Sequence, residues 1–305
     1  MLERLTPYNA IISKHPVFQL ETRRLPSAAS PGALAGVLRR RGLWLAVRIA
    51  AVWMFLAGVL YVFFGDTQAT PLLRYFIDSA LAGTLLIGML GAFGGLYVDL
   101  VSITVSLDAI SSEITSGRWT LLRLANLREA HFTLAKHALA QVKAWRAVSG
   151  VVGIRGAAVV LLAVALALNW VETQVNGNTN GLFILLVSLI VVAIPGAIFI
   201  IEPILRLRTM SAVGLLISSH NRNALTAPLA GFGVTLAIWI AQLLIISMLG
   251  CGVLGLFFPV LVLSSGLCGL PLMSAAPLIG LYAFYDLLKN YSLRRTALRL
   301  ARLEA

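Results

Sequence analysis

Few residues of this chain have the types and spacing that catalysis requires. Its four histidines, His15, His131, His137 and His220, lie in polar or basic segments and none falls inside a long apolar run. The sequence contains no G-x-x-x-x-G-K-[S/T] loop, no H-E-x-x-H and no G-x-S-x-G, so it offers no nucleotide loop, zinc protease site or serine nucleophile. We therefore expect no enzymatic activity, no haem held by these histidines, and no cofactor or metal.

The remaining candidates for chemistry are charged side chains within apolar runs. Asp99 and Glu202 lie near the ends of two such runs, and Arg155 lies inside a third. Ionisable residues inside membrane spans are functional candidates by default. We expect the two acids to pair with Arg155 or Arg206 in a structural role, and a proton relay is the alternative. Gly91, Gly94 and Gly95 are expected to allow close helix packing.

The elements that must position these residues are long apolar helices. The chain has 305 residues, of which 59% are hydrophobic and 12% are charged, and its mean hydropathy is +0.90. A soluble protein of this length would need more charge to cover its surface, whereas a membrane span needs about 20 apolar residues. The sequence predicts an all-α polytopic membrane protein with about six transmembrane helices, cytoplasmic amphipathic helices and an outer re-entrant segment.

Six apolar segments are long enough to cross a membrane. The predicted spans are Leu43–Phe64, Ala80–Val105, Ala147–Trp170, Leu182–Ile201, Ala227–Leu249 and Gly266–Leu288. The re-entrant segment is Cys251–Ser265, broken near Pro259, because an even number of crossings leaves no room for another span. Cys251 and Cys268 are expected to be packing residues, and a disulfide between them is the alternative.

The basic residues assign each loop to a side of the membrane. Of the 24 Lys and Arg residues, only Arg74 falls in a loop that we place outside. The pattern predicts a cytoplasmic segment at 1–42, a six-span domain at 43–288 with a cytoplasmic insertion at 106–146, and a basic cytoplasmic tail at 289–305. Since topology accounts for the net charge of +12, we expect membrane lipids as partners and no nucleic acid.

Two details follow from this topology. Arg48 and Arg155 lie inside span ends, where we expect their side chains to snorkel to the headgroups. Val17–Leu25 has bulky apolar residues among charges, and we expect a short amphipathic helix there, with a solvated basic tail as the alternative.

The cytoplasmic insertion carries two helical patterns. Asp108 is expected to cap a first helix that Gly117 interrupts, with an apolar stripe at Ile110, Ile114, Leu121 and Leu124. Asn126 and Glu129 make a start like a capping box for a second helix, with Phe132, Ala135, Leu139, Val142 and Trp145 on one face. Such helices either form a docking surface for a soluble partner or lie flat on the membrane.

The run from Asp108 to Lys136 resembles the first cytoplasmic loop of ATP-binding-cassette type-2 permeases. The matching positions are Glu113, Gly117, Leu121–Leu122 and Lys136, and Ala125-Asn126-Leu127 stands where the family has Thr-Pro-Leu. Two further stretches are similar to the family: His15-Pro16-Val17 with Glu21 and Arg23, and Ala212 to Leu225.

The resemblance implies a permease subunit of an ATP-driven exporter in the cytoplasmic membrane of a bacterium or archaeon. Two such subunits pair, as identical or homologous copies, and each docks a separate ATPase subunit. The resemblance makes Glu113 a polar anchor at the ATPase surface and Gly117 a tight turn or close approach. The implied coupling residues are Ile110, Glu113, Ile114, Gly117, Arg118, Trp119 and Leu121.

Two other functions fit the same sequence. A catalysis-free scaffold subunit of a larger membrane complex would have no ATPase partner. A secondary transporter driven by an ion gradient would need polar groups in mid-span and usually an internal repeat, and neither is evident in the sequence. The scarcity of polar residues in the spans favours a lipid-like or amphipathic cargo.

Overall fold

The fold is all-α. The computed structural model describes residues 15–23, 31–64, 72–119, 128–175, 181–220, 226–265 and 269–302. These residues are almost entirely helical, and none of them forms a β-strand. The predicted fold class is thereby confirmed at the level of secondary structure.

Short helical elements precede the long helices. Helix α1 covers Pro16–Thr22 and helix α2 covers Pro31–Val37. A π-helical segment, Leu38–Leu43, leads directly into α3, Trp44–Phe64. Proline at the first position of α1 suits a helix start, because the N–H that it lacks would have no partner inside the helix.

Five long helices follow. They are α4, Leu72–Thr115; α5, Glu129–Val175; α6, Gly181–His220; α7, Thr226–Ser265; and α8, Gly269–Arg302. At about 1.5 Å per residue, α4 and α5 are each about twice as long as a hydrocarbon core is thick. The predicted spans Ala80–Val105 and Ala147–Trp170 are therefore interior parts of longer helices.

Four helical stretches among the described residues are long and apolar enough to cross a membrane. They are Leu34–Phe63, Leu72–Thr115, Glu129–Val175 and Thr226–Ile245. Large apolar side chains also face outward on these helices, among them Phe55, Leu85 and Leu244, each more than half exposed. An outer surface of this kind indicates a membrane protein. The count of six spans is not confirmed.

Successive long helices run in opposite directions, so the end of one helix lies beside the start of the next. The end of α4, the start of α5 and the ends of α6 and α8 share one buried cluster: Val17, Ile110, Trp119, Phe132, Leu215 and Leu300. We call the region around this cluster the basic end, and define it as α1 with residues 106–119, 128–149, 207–220 and 288–302. At the opposite end, Arg74 of α4 lies 3.6 Å from Glu172 of α5.

The two short helices expected in the insertion are the ends of α4 and α5. Helix α4 passes through Asp108 without a break, so the predicted cap at Asp108 is wrong. No proline or glycine separates Val105 from Thr115, and an uninterrupted helix keeps its backbone hydrogen bonds. The first possible break is Gly117, two residues after the observed end at Thr115.

The predicted apolar face of the second insertion helix packs inside the protein. Its members Phe132, Ala135, Leu139, Val142 and Trp145 are all buried. Trp145 also donates a hydrogen bond from Nε1 to the Leu34 carbonyl at 2.9 Å. This part of α5 therefore packs against other helices and does not lie flat on a membrane surface. Leu121, Leu124 and Asn126 lie outside the described residues.

The N-terminal amphipathic helix is present and packs on the protein. Val17 and Phe18 of α1 are buried, whereas Leu20 is 62% exposed. Phe18 belongs to a cluster with Leu34 and Val142, which places α1 against α5.

The re-entrant segment is not confirmed. Residues 251–265 continue α7 as helix through Pro259, so the predicted break near Pro259 is wrong, and α8 begins at Gly269. The structure describes the backbone but not the side chain of Cys251, and Cys268 lies outside the described residues.

Candidate functional site

A buried charge network joins α4, α5 and α6, with Asp99 and Arg155 inside predicted spans and Glu202 and Arg206 just after the end of another. Arg155 Nη1 donates to Glu202 Oε2 at 2.5 Å. Arg206 Nε lies 3.3 Å from both Asp99 Oδ1 and Glu202 Oε1. The four side chains are at most 12% exposed. The two acids pair with Arg155 and Arg206, as predicted. The network thus contains two basic and two acidic side chains.

Neutral side chains from α7 and α8 complete the network. The three hydrogen bonds run from Trp239 Nε1 to Asp99 Oδ2 (3.0 Å), from the Tyr285 hydroxyl to Glu202 Oε1 (2.6 Å), and from Arg206 Nη2 to Gln242 Oε1. Sequence reasoning missed Trp239, Gln242 and Tyr285. In the sequence, each of these residues is only a polar side chain in an apolar segment. Such a residue does not indicate which side chain it binds in the folded protein.

Arg155 points into the helix bundle. Its Nε donates to the Gly91 carbonyl and its Nη1 to the Phe199 carbonyl, both at 2.8 Å. The predicted snorkelling of Arg155 is wrong, because carbonyls and Glu202 bind its guanidinium within the bundle. Arg48 is exposed, in contrast to Arg155.

The glycines of α4 make room for these arginines. A Cβ added at Gly91 would lie 2.7 Å from Arg155 Cγ, and one added at Gly95 would overlap the Arg206 guanidinium. A Cβ at Gly94 would lie 3.0 Å from a methyl group of Val151. The close packing predicted for these glycines is present, and two of them pack against charged side chains.

An apolar cavity of about 770 Å³ lies beside the network. Its apolar walls come from α4 to α8 and include Gly88, Ala158, Leu162, Pro195, Phe199 and Leu243. Its polar part includes Arg155, Glu202, Arg206 and Gln242. The volume falls in the range of sites for small molecules, which are mostly apolar with a few placed polar groups.

A second ion-pair cluster lies at the basic end. Lys136 Nζ donates to Glu21 Oε1 at 2.5 Å and to Glu113 Oε1 at 2.7 Å. The Lys136 side chain is only 4% exposed, and that of Glu113 is 14% exposed. One buried ammonium thus holds α1 and α4 against α5.

Helix α4 ends in a tight turn at Gly117. The φ angle of Gly117 is +70°, and its N–H donates to the Ile114 carbonyl at 3.2 Å. Side chains other than glycine are strained at this φ angle. Of the two roles that the resemblance implied for Gly117, close approach or a tight turn, the turn is present, two residues after the end of the helix.

The other implied coupling residues divide into buried and exposed ones. Ile110 is fully buried, and Trp119 packs on Phe132 with ring centroids 5.0 Å apart. Ile114 is half-buried and Arg118 is exposed. Leu121 lies outside the described residues.

A groove of about 990 Å³ lies between α1, α4 and α5 at the basic end. Lys136 and Glu113 line it together with Leu20 and Arg118. The groove has more polar lining than the cavity beside the charge network, since both members of the ion pair reach it.

Two buried histidines lie in or directly next to the basic end. His15, next to α1, has a pKa below its usual value, because burial and the nearby His131 both disfavour its protonated form. His137 has Nε2 2.8 Å from the Arg208 carbonyl. Among the described residues, no group of three or more His, Cys, Asp and Glu side chains could hold a metal ion.

Comparisons with protein-family models, with curated proteins and with solved structures give no match to this chain. The residues of the chain itself are therefore the basis for its function.

Proposed function

We propose that this chain is the membrane-spanning permease subunit of an ATP-driven transporter that works as an exporter. In the proposal, helices α3 to α8 make six crossings of a bacterial or archaeal cytoplasmic membrane, with both ends of the chain in the cytoplasm. A second copy or a homologous permease completes the transport unit, and a separate ATPase subunit supplies the energy. That residues 251–265 enter and leave on the outer side stays a prediction, and the helix they form has no break at Pro259.

The observation that carries the proposal is the joined extension of α4 and α5. Residues 106–115 and 129–146 continue beyond the predicted spans at the same end, and the Glu113–Lys136 ion pair (2.7 Å) links them. Separating two helices that a buried ion pair links is costly, because each charge would be left without compensation. The same helices carry Asp99 and Arg155 in the buried network, so a displacement at the basic end would reach the predicted spans.

We propose that the ATPase subunit contacts the tip of this helix pair. Gly117 and Arg118 are exposed at the tip. Ile110 and Trp119 are buried, so in this proposal they support the tip from inside and do not touch the partner. In this proposal Glu113 does not touch the partner. Its ion pair with Lys136 holds the ends of α4 and α5 together.

Co-purification tests the partner. The tagged protein is isolated in mild detergent, and the proteins that accompany it are identified by mass spectrometry. We expect an ATPase with a Walker loop at about one copy per chain. Recovery of redox or structural membrane subunits in its place would contradict the proposal and favour a scaffold role.

A matched pair of charge reversals locates the contact. Arg118→Glu changes the exposed tip, and Arg74→Glu makes the same change at the opposite end of α4, where the Arg74 side chain is 56% exposed. We expect Arg118→Glu to lose most of the ATPase and Arg74→Glu to retain it. Equal recovery with both variants would rule out the tip as the contact.

The coupling role of Glu113 needs a test that is independent of the cargo. In the purified complex, a fluorophore on a cysteine at position 243, beside the cavity, should respond to ATP and vanadate. Glu113→Ala should abolish the response and leave folding intact, because Lys136 keeps Glu21 at 2.5 Å. Asp78→Ala, at the opposite end of the same helix, is the control. A normal response in Glu113→Ala would refute the coupling role.

One observation favours a second candidate, a carrier driven by an ion gradient. The buried network places Glu202 and two arginines beside a cavity, and such a carrier needs intramembrane charges of this kind. The chain alone, in vesicles with an imposed pH gradient and an enclosed pH dye, would then conduct protons. We expect no conduction, because Asp99 and Glu202 each lie within 3.3 Å of Arg206 and Glu202 also binds Arg155.

A further inference from the structure

The cavity beside the charge network has two chemically different parts. Most of its wall is apolar, with Gly88, Ala158 and Leu243 from three different helices. One side carries Arg155, Glu202, Arg206 and Gln242. A molecule that fits both parts must have an apolar chain and a small polar head.

Gln242 defines what the polar head must offer. The residue is 6% exposed, and its Oε1 accepts a hydrogen bond from Arg206 Nη2. Because a guanidinium only donates, the atom facing it must be the amide oxygen, and this fixes the amide nitrogen on the other side. That Nε2 is buried and has no hydrogen-bond partner among the described residues. Gln242 lines the cavity, and a buried donor without a partner is unfavourable, so this wall of the cavity favours a ligand with an acceptor.

The charge balance excludes a strongly charged head. Glu202 is bound by Arg155 and Tyr285, and Asp99 by Trp239, while Arg206 lies 3.3 Å from both acids. An anionic head would find no uncompensated cation, and a cationic head no uncompensated carboxylate. A neutral acceptor, such as an ester carbonyl or a hydroxyl oxygen, matches the free amide.

We propose that this cavity binds a neutral amphiphile, with an apolar chain along Gly88, Ala158 and Leu243 and a carbonyl or hydroxyl oxygen that accepts from Gln242 Nε2. Monoacylglycerols represent this class. Binding is a property of the chain by itself, so it stands or falls separately from the proposed ATPase coupling.

Photo-crosslinking tests the proposal with the purified full chain. The probe is a monoacylglycerol with a diazirine in its acyl chain, and excess monoolein is the competitor. We expect saturable labelling of peptides that contain Ala158 or Leu243, displaced by monoolein. Labelling confined to residues that do not line the cavity, or labelling that monoolein does not displace, would overturn the proposal.

A pair of glycine substitutions tests the location. A Cβ at Gly88 meets only Ala158 Cβ, at 3.9 Å, so Gly88→Phe extends into the cavity. Gly233 has nothing within 4 Å and faces outward, so Gly233→Phe is the control. We expect the first variant to lose the labelling at Leu243 and the second to retain it. Retention in a Gly88→Phe protein that still elutes as a folded species would contradict the location.

Two changes at Gln242 test the polar head and do not depend on filling the cavity. Gln242→Leu removes the amide, and Gln242→Glu keeps an acceptor for Arg206 but removes the donor. Both should weaken monoacylglycerol binding by about fivefold, the effect of losing one neutral hydrogen bond. If Gln242→Glu binds as well as wild type, or if a diazirine fatty acid in its anionic form labels as well as the monoacylglycerol, the neutral-acceptor assignment is wrong.

Discussion

At the scale of single residues, Arg206 is the centre of the buried network. It lies 3.3 Å from two carboxylates, donates to Gln242, and has its guanidinium carbon 5.2 Å from the centre of the Trp239 ring. Removing one partner of a buried ion pair is costly because the other charge stays behind without compensation. The cost of each substitution therefore depends on what remains around the acid that loses its partner.

Arg206→Met and Arg155→Met should differ for this reason. Arg206→Met leaves Asp99 with only the Trp239 indole, and we expect a loss of about 3–5 kcal/mol in the free energy of unfolding. Arg155→Met leaves Glu202 with Arg206 and Tyr285, so the loss should be about 1–3 kcal/mol. Denaturation in detergent, followed by tryptophan fluorescence, measures both.

A second substitution checks the cause. In an Arg206→Met protein, Asp99→Asn removes the charge that was left behind, and part of the lost stability should return. If Asp99→Asn only adds a further loss, the Asp99–Arg206 ion pair does not explain the cost.

At the scale of helices, one face of α4 is shaped by what packs against it. Gly91 and Gly95 lie where Arg155 and Arg206 cross the helix, whereas Gly88 faces the cavity. The three residues are chemically identical and stand on the same helix. Their tolerance of a methyl group should nevertheless differ.

Gly95→Ala should destabilise the protein and Gly88→Ala should not. At Gly95 the methyl group displaces an Arg206 guanidinium that the network holds in place, which should cost about 1–3 kcal/mol. At Gly88 the nearest atom is 3.9 Å away, and alanine gains about 0.5–1 kcal/mol over glycine inside a helix. Thermal unfolding in detergent measures the difference. Equal midpoints would mean that Arg206 is not confined at Gly95.

At the scale of the whole molecule, the alternating helices place the two ends of the fold on opposite sides. The basic end holds α1, the turn at Gly117 and the last part of α8, whereas the end of α5 lies at the other side beside Arg74. In a membrane, the two ends should therefore face different compartments.

Cysteine labelling tests this arrangement in cells, in a background without Cys251 and Cys268. Ser116→Cys and Leu298→Cys report the basic end, and Val175→Cys reports the opposite end; the native side chains are exposed at all three positions. A membrane-impermeant maleimide should label position 175 in intact cells and the other two only after permeabilisation. Labelling of 116 and 298 from different sides would contradict an even number of crossings between them.

The sequence by itself determined the class of protein and most of the helices. Its apolar runs predict helices α3 to α8, and each predicted span lies within or next to an observed helix. Helical hydrogen bonds are local and an apolar run is a local property, so both can be derived without knowledge of neighbours. The pairing of Asp99 and Glu202 with arginines was also accessible, because a buried charge requires an opposite one.

Only the tertiary structure decided how far α4 and α5 extend and which way Arg155 points. A charged segment ends a span but does not end a helix, so hydropathy alone could not show that α4 runs on to Thr115. The inward turn of Arg155 depends on carbonyls of two other helices, at Gly91 and Phe199. Contacts between distant segments, such as Glu113 with Lys136 and Gln242 with Arg206, arise only when the helices pack, and they carry both proposals.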